Sequence, residues 1–420
     1  MNNEHLFFVI FNSFLIIYYL CRKNGFDFFG ISYFSSVIYF SPGFFGYTGL
    51  VASMYDWYYW PLNRKVYVIY IMYLFFLFLF TFLYDFFVKS RIALKFSSNK
   101  EVDAYRTEIL VSIFLICSSF ILLNIFGGAN LHNLDKDQVM SSIGRWYVLY
   151  EATILIAVAY LCTVVKFRYL YILPLIFFII FDIYLGFRTT FVISVLMVFF
   201  VAFNKNNQRL LSAWPYLFLC VLVVFAVLLL KAMMYGLKKG DVDVIVAILQ
   251  NSDTYEKLLS TSEPFVTQSI LNSVVDHEYK TDAGHLRLIL VQFMFFGDVL
   301  FDELKNFNSY FQPDLFPKVR YGMASNFLAE FYAVSGMFGV VAISVLYTGG
   351  VFLLNVYFLL CRPMFKPIFL LIGVYWSFYI YRNDFSYMLN IEKRVLVGFL
   401  LIFVISSIVR RIFQSNLNKI

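Results

Sequence analysis

Charge is what this chain has least of. Of its 420 residues only 14% are Asp, Glu, Lys or Arg, against 61% hydrophobic and 21% aromatic. Soluble globular chains carry about 25% charge and roughly 45–50% apolar residues, so this composition cannot supply a water-facing surface around a conventional core. Cysteine pairing is missing as well. Cys21, Cys117, Cys162, Cys220 and Cys361 lie within or at the ends of apolar runs and no two form a CxxC, which excludes a disulfide framework and a zinc site as readings. No GxxxxGK[ST], GxGxxG, HExxH or GxSxG occurs, so ATP-driven transport, redox cofactor binding and zinc hydrolysis have no motif behind them. Neither a repeat of fixed period nor a low-complexity linker is present.

What the chain has is apolar runs along its whole length. A run of about 18 or more uncharged residues satisfies its own backbone as a helix within the ~30 Å hydrocarbon layer. The expected fold is therefore an all-α polytopic integral membrane protein. Runs bounded by charge give about eleven spans: Leu6 to Leu20, Ile31 to Val51, Val66 to Val88, Ile109 to Phe126, Trp146 to Val165, Tyr169 to Leu185, Phe191 to Phe203, Trp214 to Tyr235, Phe327 to Leu360, Ile368 to Tyr381 and Val395 to Val409. The Phe191 run is short for a crossing, and the Phe327 run is long enough to include a surface helix. The 53 Phe and 32 Tyr fit an AT-rich coding sequence and are read as lipid contact.

The 33 Lys and Arg exceed the 26 Asp and Glu by seven, and their placement matters more than their sum. The leader MNNEH carries Glu4 and no Lys or Arg, whereas Arg22 and Lys23 follow the first apolar run, so that run reads as an uncleaved span with its N-terminus outward. Alternate loops then hold Lys89, Arg91, Lys95, Lys100 and Arg106; Lys166 and Arg168; Lys205 and Arg209; Arg362 and Lys366; and Arg410, Arg411 and Lys419. Each of these is basic, as an inner loop should be, and the odd count leaves the C-terminus inside.

Three parts follow: spans within 1–235, a large outer loop over 236–326, and spans within 327–420. The loop, of about ninety residues, far exceeds a usual connection of ~4–6. Within it Asp243 to Gln250 and Glu263 to Val275 look helical, and Leu286 to Leu300 reads as an interfacial helix or re-entrant turn.

An ionisable group at membrane depth costs about 2.5–3.5 kcal/mol on insertion scales, so each needs a partner or a task. Arg188, in Gly186-Phe187-Arg188-Thr189-Thr190, has two readings: a snorkelling cation paired with Asp182, or a guanidinium fork holding phosphate oxygens. The loop adds His285 and Arg287, then Lys318 and Arg320, each of which could equally be a solvated charge. Arg188, Arg287 and Arg320 around one outward cavity would hold a diphosphate and stabilise it as it departs. Proton acceptors expected on that side are Asp56, His277, His285, Asp298 and Glu330. Glu330 follows Asn326 by four residues, on one helix face, and is also placed as a helix N-terminal acid. Asp241-Val242-Asp243 matches a metal-binding DxD by chance spacing, and Lys231 reads as a snorkelling anchor.

The arrangement resembles the Wzy-type polymerases of bacterial O-antigen. The resemblance rests on the spans, on the Arg-bearing turn Leu185 to Thr190, and on Leu230-Lys231-Ala232-Met233-Met234-Tyr235-Gly236 at the entry to the large loop. Ala324-Ser325-Asn326-Phe327-Leu328-Ala329-Glu330-Phe331-Tyr332 and Gly336-Met337-Phe338-Gly339 follow that loop. It implies a metal-independent glycosyltransferase of the bacterial inner membrane, acting on the periplasmic face without a cofactor. Such an enzyme moves a growing glycan from undecaprenyl diphosphate to another lipid-linked repeat unit. In it Arg188, Arg287 and Arg320 would bind the donor diphosphate, and His285 or Glu330 would be the general base. The implied partners are lipid-linked oligosaccharides, membrane lipid, a chain-length regulator and a flippase, with no nucleic acid. Two rivals share these features: a flippase or transporter of lipid-linked oligosaccharide, and the ligase that joins finished glycan to lipid A core.

Overall fold

The computed structural model describes residues 2–23, 25–49, 60–89, 106–128, 136–163, 169–206, 243, 246, 262–281, 283–292, 294, 306–319 and 323–417. Among these the chain is almost wholly helical. Helices α1 (Asn3–Cys21), α2 (Phe28–Tyr39), a short α3 (Ser41–Phe45) and α4 (Arg64–Leu83) come first. They are followed by α5 (Arg106–Gly127), α6 (Lys136–Thr163), α7 (Tyr169–Tyr184) and α8 (Thr189–Asn206). The outer-loop region contributes α9 (Glu263–Asp276), α10 (Ala283–Gln292) and α11 (Asn308–Leu315), and α12 (Phe327–Leu360), α13 (Lys366–Tyr379) and α14 (Phe385–Leu417) complete the bundle. The strands Tyr47–Thr48 and Trp60–Pro61 pair antiparallel as a two-residue ribbon.

Among the described residues seven helices are long and apolar enough to cross a membrane, and Phe28–Tyr39, Tyr171–Tyr184 and Thr189–Phe203 are apolar but shorter. Nine of the expected runs thus fall on helices; Ile31 to Val51 instead breaks into α2, α3 and the strand Tyr47–Thr48, and its last two residues, like Trp214 to Tyr235, lie outside the described residues. The N-terminal helix and the one beginning at Phe385 bury only 22% of their spanning windows and are peripheral; the Pro363–Arg382 segment buries 67% and is central. That central position places the chain after α13 at the heart of one end of the bundle.

The two ends are chemically different. At one end Arg22 donates to both oxygens of Asp85 (2.5 and 2.7 Å) and both of Asp27 (2.7 Å each), and Arg410 pairs with Glu108. One guanidinium between two carboxylates satisfies charges that would otherwise be costly out of water. Arg362, just after α12, and Lys366, the first residue of α13, lie at this end too, since the amide of Phe28 donates to Asn355 Oδ1 at 3.2 Å. The other end carries the α9 to α11 cap. Here Asn272 accepts from the Asn63 amide at 2.8 Å, and Trp60 donates to Asp276 at 3.2 Å.

Helix α9 differs from a surface helix of an external loop. Every residue from Thr267 to Val275 is buried, polar ones included, and Tyr70 donates to Gln268 at 2.6 Å. It acts as a polar plug between α2, α4 and α12. Of Asp243 to Gln250 only residues 243 and 246 are described, both helical, and the Leu286 region is helical as far as Gln292.

Helix α12 is broken. Ser335 and Gly336 leave helical geometry, Gly336 at φ 63 and ψ −143, a region open only to glycine. The break frees the Ala333 carbonyl, which accepts from the Thr281 amide at 3.1 Å. Residues 327–334 thereby belong to the cap, and the remainder forms the span.

Beneath the cap, four helical segments are tied by hydroxyls. Ser32 Oγ lies 2.9 Å from Tyr347 and from Tyr381 hydroxyls, Tyr73 and Tyr381 hydroxyls meet at 2.5 Å, and Tyr381 donates to the Ser32 carbonyl at 2.7 Å. Each buried phenol keeps its polar tip satisfied while its ring packs among other rings.

Candidate functional site

The site grows from a short turn. After α13 the chain makes one 3-10 turn, Ile380–Arg382, and restarts as α14 at Phe385. Asp384 forces that restart. Its Oδ1 accepts from the Tyr387 amide at 2.6 Å and its Oδ2 from the Phe307 amide at 3.2 Å, so one carboxylate caps α14 and holds the start of α11.

Glu330 docks on the same turn. Asn326 caps α12 by accepting from the amides of Leu328 and Ala329, and the following turn carries Glu330 inward. Its Oε2 accepts from the Phe385 amide at 2.8 Å, and its Oε1 meets His285 Nε2 at 2.9 Å. Neither side chain has any exposure. In the tautomer that carries its proton on Nε2, the imidazole donates to Oε1 of Glu330. Nδ1 is then left with the lone pair, buried and without a hydrogen-bond partner among the described residues. The rings of Phe307 and Tyr310 hold the imidazole at 5.7 and 5.1 Å between centroids. Burial, and then the charge of neighbouring Glu330, push the Asp384 carboxyl up to about 7.

On the other side of the turn Arg382 donates to Glu263 Oε2 at 2.8 Å, and Arg188 lies 3.6 Å from Glu263 Oε1. One carboxylate at the start of α9 therefore serves two guanidiniums, each 23% exposed. Arg382 also stands over the Tyr379 ring at 5.3 Å, and Tyr379 donates to Thr189 Oγ1 at 3.0 Å. Glu151 and Arg394 lie within electrostatic range of Tyr387 nearby. Arg382 and Phe385 are three residues apart, so their Cα atoms are separated by at most about 11 Å. The cationic group and the imidazole–carboxylate pair are two sides of one turn.

Of the residues singled out in the sequence, His285 and Glu330 come together and Arg188 stands across the turn from them. Asp182 takes other partners, accepting from Tyr147 at 2.8 Å and from Thr190, while Arg188 takes Glu263. Arg287 is on the exposed face of α10, as expected for a residue two positions from buried His285. Arg320, Asp56, Asp298, Lys231 and Asp241 lie outside the described residues. His277 ends α9, its Nδ1 2.9 Å from the Ser273 carbonyl, and Lys318 is exposed. Among the described residues no group of three or more His, Cys, Asp or Glu is placed to hold a metal ion. Arg382 and Asp384 have no counterpart in the sequence reading, and Glu263 enters it only as the start of a helical segment. The signal for two of them was present in Tyr381-Arg382-Asn383-Asp384, opposite charges in a short link between apolar runs.

The arrangement can bind an anion through its guanidiniums and accept a proton at a fixed imidazole nitrogen beside it. No family model, no curated protein and no solved structure matches the chain.

Proposed function

We propose that the protein is an O-antigen or related polysaccharide polymerase, a glycosyltransferase working where the α9 to α11 cap covers the bundle. One observation carries the reading: the buried His285–Glu330 pair shares a turn with Arg188, Glu263 and Arg382. In the reaction, a hydroxyl of the acceptor sugar attacks the anomeric carbon of the donor glycan. His285 Nδ1 takes the hydroxyl proton while Glu330 orients the ring and stabilises the imidazolium. The bond from anomeric carbon to phosphate oxygen breaks, and prenyl diphosphate leaves with its charge met by Arg188, with Arg287 and Arg320 as further cations from the large loop. A prenyl diphosphate is already activated, so no nucleotide enters the scheme.

Sidedness follows from charge. The end opposite the site collects Arg22, Arg362, Lys366 and Arg410, which favours the cytoplasm, and the site end then faces the periplasm. Lipid-linked substrates reach it from the bilayer after a flippase delivers them, and a chain-length regulator would act alongside.

Deleting the gene tests the reading. A polymerase leaves lipid A core bearing a single repeat, and a normal ladder overturns the proposal. Polymer accumulating on its lipid carrier without reaching lipid A core indicates a ligase; repeat units retained on the cytoplasmic leaflet indicate a flippase.

A further inference from the structure

We propose that Glu263 is an internal stand-in for a phosphate group: it occupies the Arg188–Arg382 pair when that site is empty and gives way to a phosphate or diphosphate ligand. The inference rests on the diphosphate reading above and adds Arg382 as a second binding guanidinium and Glu263 as the competitor that sets affinity.

The geometry is that of a bridging anion. Glu263 gives one oxygen to each arginine, Oε2 to Arg382 at 2.8 Å and Oε1 towards Arg188 at 3.6 Å. The second contact is longer than a hydrogen bond, so the carboxylate spans the pair without saturating it. A diphosphate has more oxygens and more charge, and can present two to each guanidinium fork. All three side chains keep partial exposure, 23% for each arginine and 33% for Glu263, so a ligand can approach them. The deeper groups, His285 and Glu330, have none. Tyr379 and Thr189 form a hydrogen-bonded wall at the same place.

Displacement also has a mechanical consequence. Glu263 is the first residue of α9, and α9 packs against α12, whose cap segment carries Glu330. Asn326, the cap of α12, donates to the Thr267 carbonyl at 3.2 Å, one turn further along α9. Ligand that releases Glu263 therefore loosens the helix packed against the segment that carries Glu330, and coupling of that kind lets phosphate binding reach the carboxylate partner of the base.

The test is inorganic pyrophosphate binding by the full chain in nanodiscs. Glu263→Gln is expected to bind about tenfold more tightly than wild type, and Arg382→Ala and Arg188→Ala about tenfold more weakly. Equal affinity in all four proteins, or weaker binding by Glu263→Gln, overturns the proposal. Should the Glu263 variant fold poorly, hydrogen exchange on the wild-type chain decides: pyrophosphate should speed exchange in the first turn of α9, and unchanged exchange there overturns it. Nanodiscs doped with a prenyl diphosphate compete with pyrophosphate if the source is a lipid headgroup; competition by soluble phosphates alone identifies a free ligand of the same chemistry. Tight pyrophosphate binding together with a normal glycan ladder in the deletion strain would keep this site and discard the polymerase reading.

Discussion

His285 and Glu330 meet at 2.9 Å with neither side chain touching solvent, although they stand 45 residues apart on separate helices. A buried imidazole–carboxylate contact fixes ring and tautomer together, so removing either partner should act on the rate of transfer. His285→Ala is expected to slow elongation of lipid-linked repeats by about 10²-fold or more, and Glu330→Gln to do so with KM little changed. Single-turnover measurement in proteoliposomes is the check. A Glu330→Gln enzyme at wild-type speed would take the carboxylate out of the mechanism.

Arg188 should tolerate no replacement. Lysine keeps the charge but loses the planar fork, so Arg188→Lys as well as Arg188→Ala should abolish long-chain glycan while membrane insertion and protein level stay normal. A gel ladder of ordinary length in either strain would remove Arg188 from the diphosphate site.

Asp384 should impose a pH dependence on stability. Its carboxyl titrates near about 7 when folded and near about 3.9 when unfolded, so between those values the folded chain holds a proton the unfolded chain has lost. Stability therefore falls as pH rises through that window and is flat above it. The groups facing it are Glu330, His285 and the amides of Phe307 and Tyr387. Thermal unfolding in detergent should give a lower melting temperature at about pH 8 than at about pH 5, and Asp384→Asn should flatten the difference. An unaltered slope in the variant would assign it elsewhere.

Gly336 should resist substitution for a backbone reason alone. A Cβ there meets nothing within 4 Å, so Gly336→Ala adds no clash, only the strain of φ 63. The expected loss is about 1–3 kcal/mol, read as a lowered melting temperature. At Gly339 a Cβ would collide with the Phe331 carbonyl oxygen, so the alanine there should do more damage.

Chelation should leave elongation intact, since the proposed chemistry uses guanidiniums where other transferases use a divalent ion. Activity lost to EDTA and restored only by a divalent cation would turn attention to Asp241 and Asp243.

Much of the helical framework is legible in the sequence because a membrane span is a local property: each apolar run answers only to the hydrocarbon around it. Glu263 to Val275 reads as helical and is so, and Asn326 and Glu330 read as one helix start and form one. Burial of α9 is not legible, because its polar residues resemble those of a solvated loop and find their partners on α4 and α12. The partner of Arg188 is hidden for the same reason. Asp182 is its nearest acid in sequence, yet Tyr147 and Thr190 engage that carboxylate, and no local pattern links 188 to 263. The last span begins at Phe385 rather than Val395, because Asp384 starts the helix before its charged stretch ends.

The knot of Ser32, Tyr73, Tyr347 and Tyr381 anchors the turn that carries Arg382. Tyr381 immediately precedes Arg382, and its phenol is moored from below by three hydrogen bonds to Ser32 and Tyr73, so sliding that loop would sever several buried bonds at about 1 kcal/mol each. Arg382 and the Phe385 amide are thus a fixed anvil. Under the proposed function, room for a saccharide would then have to come from the elements that face this turn, of which α9 is one.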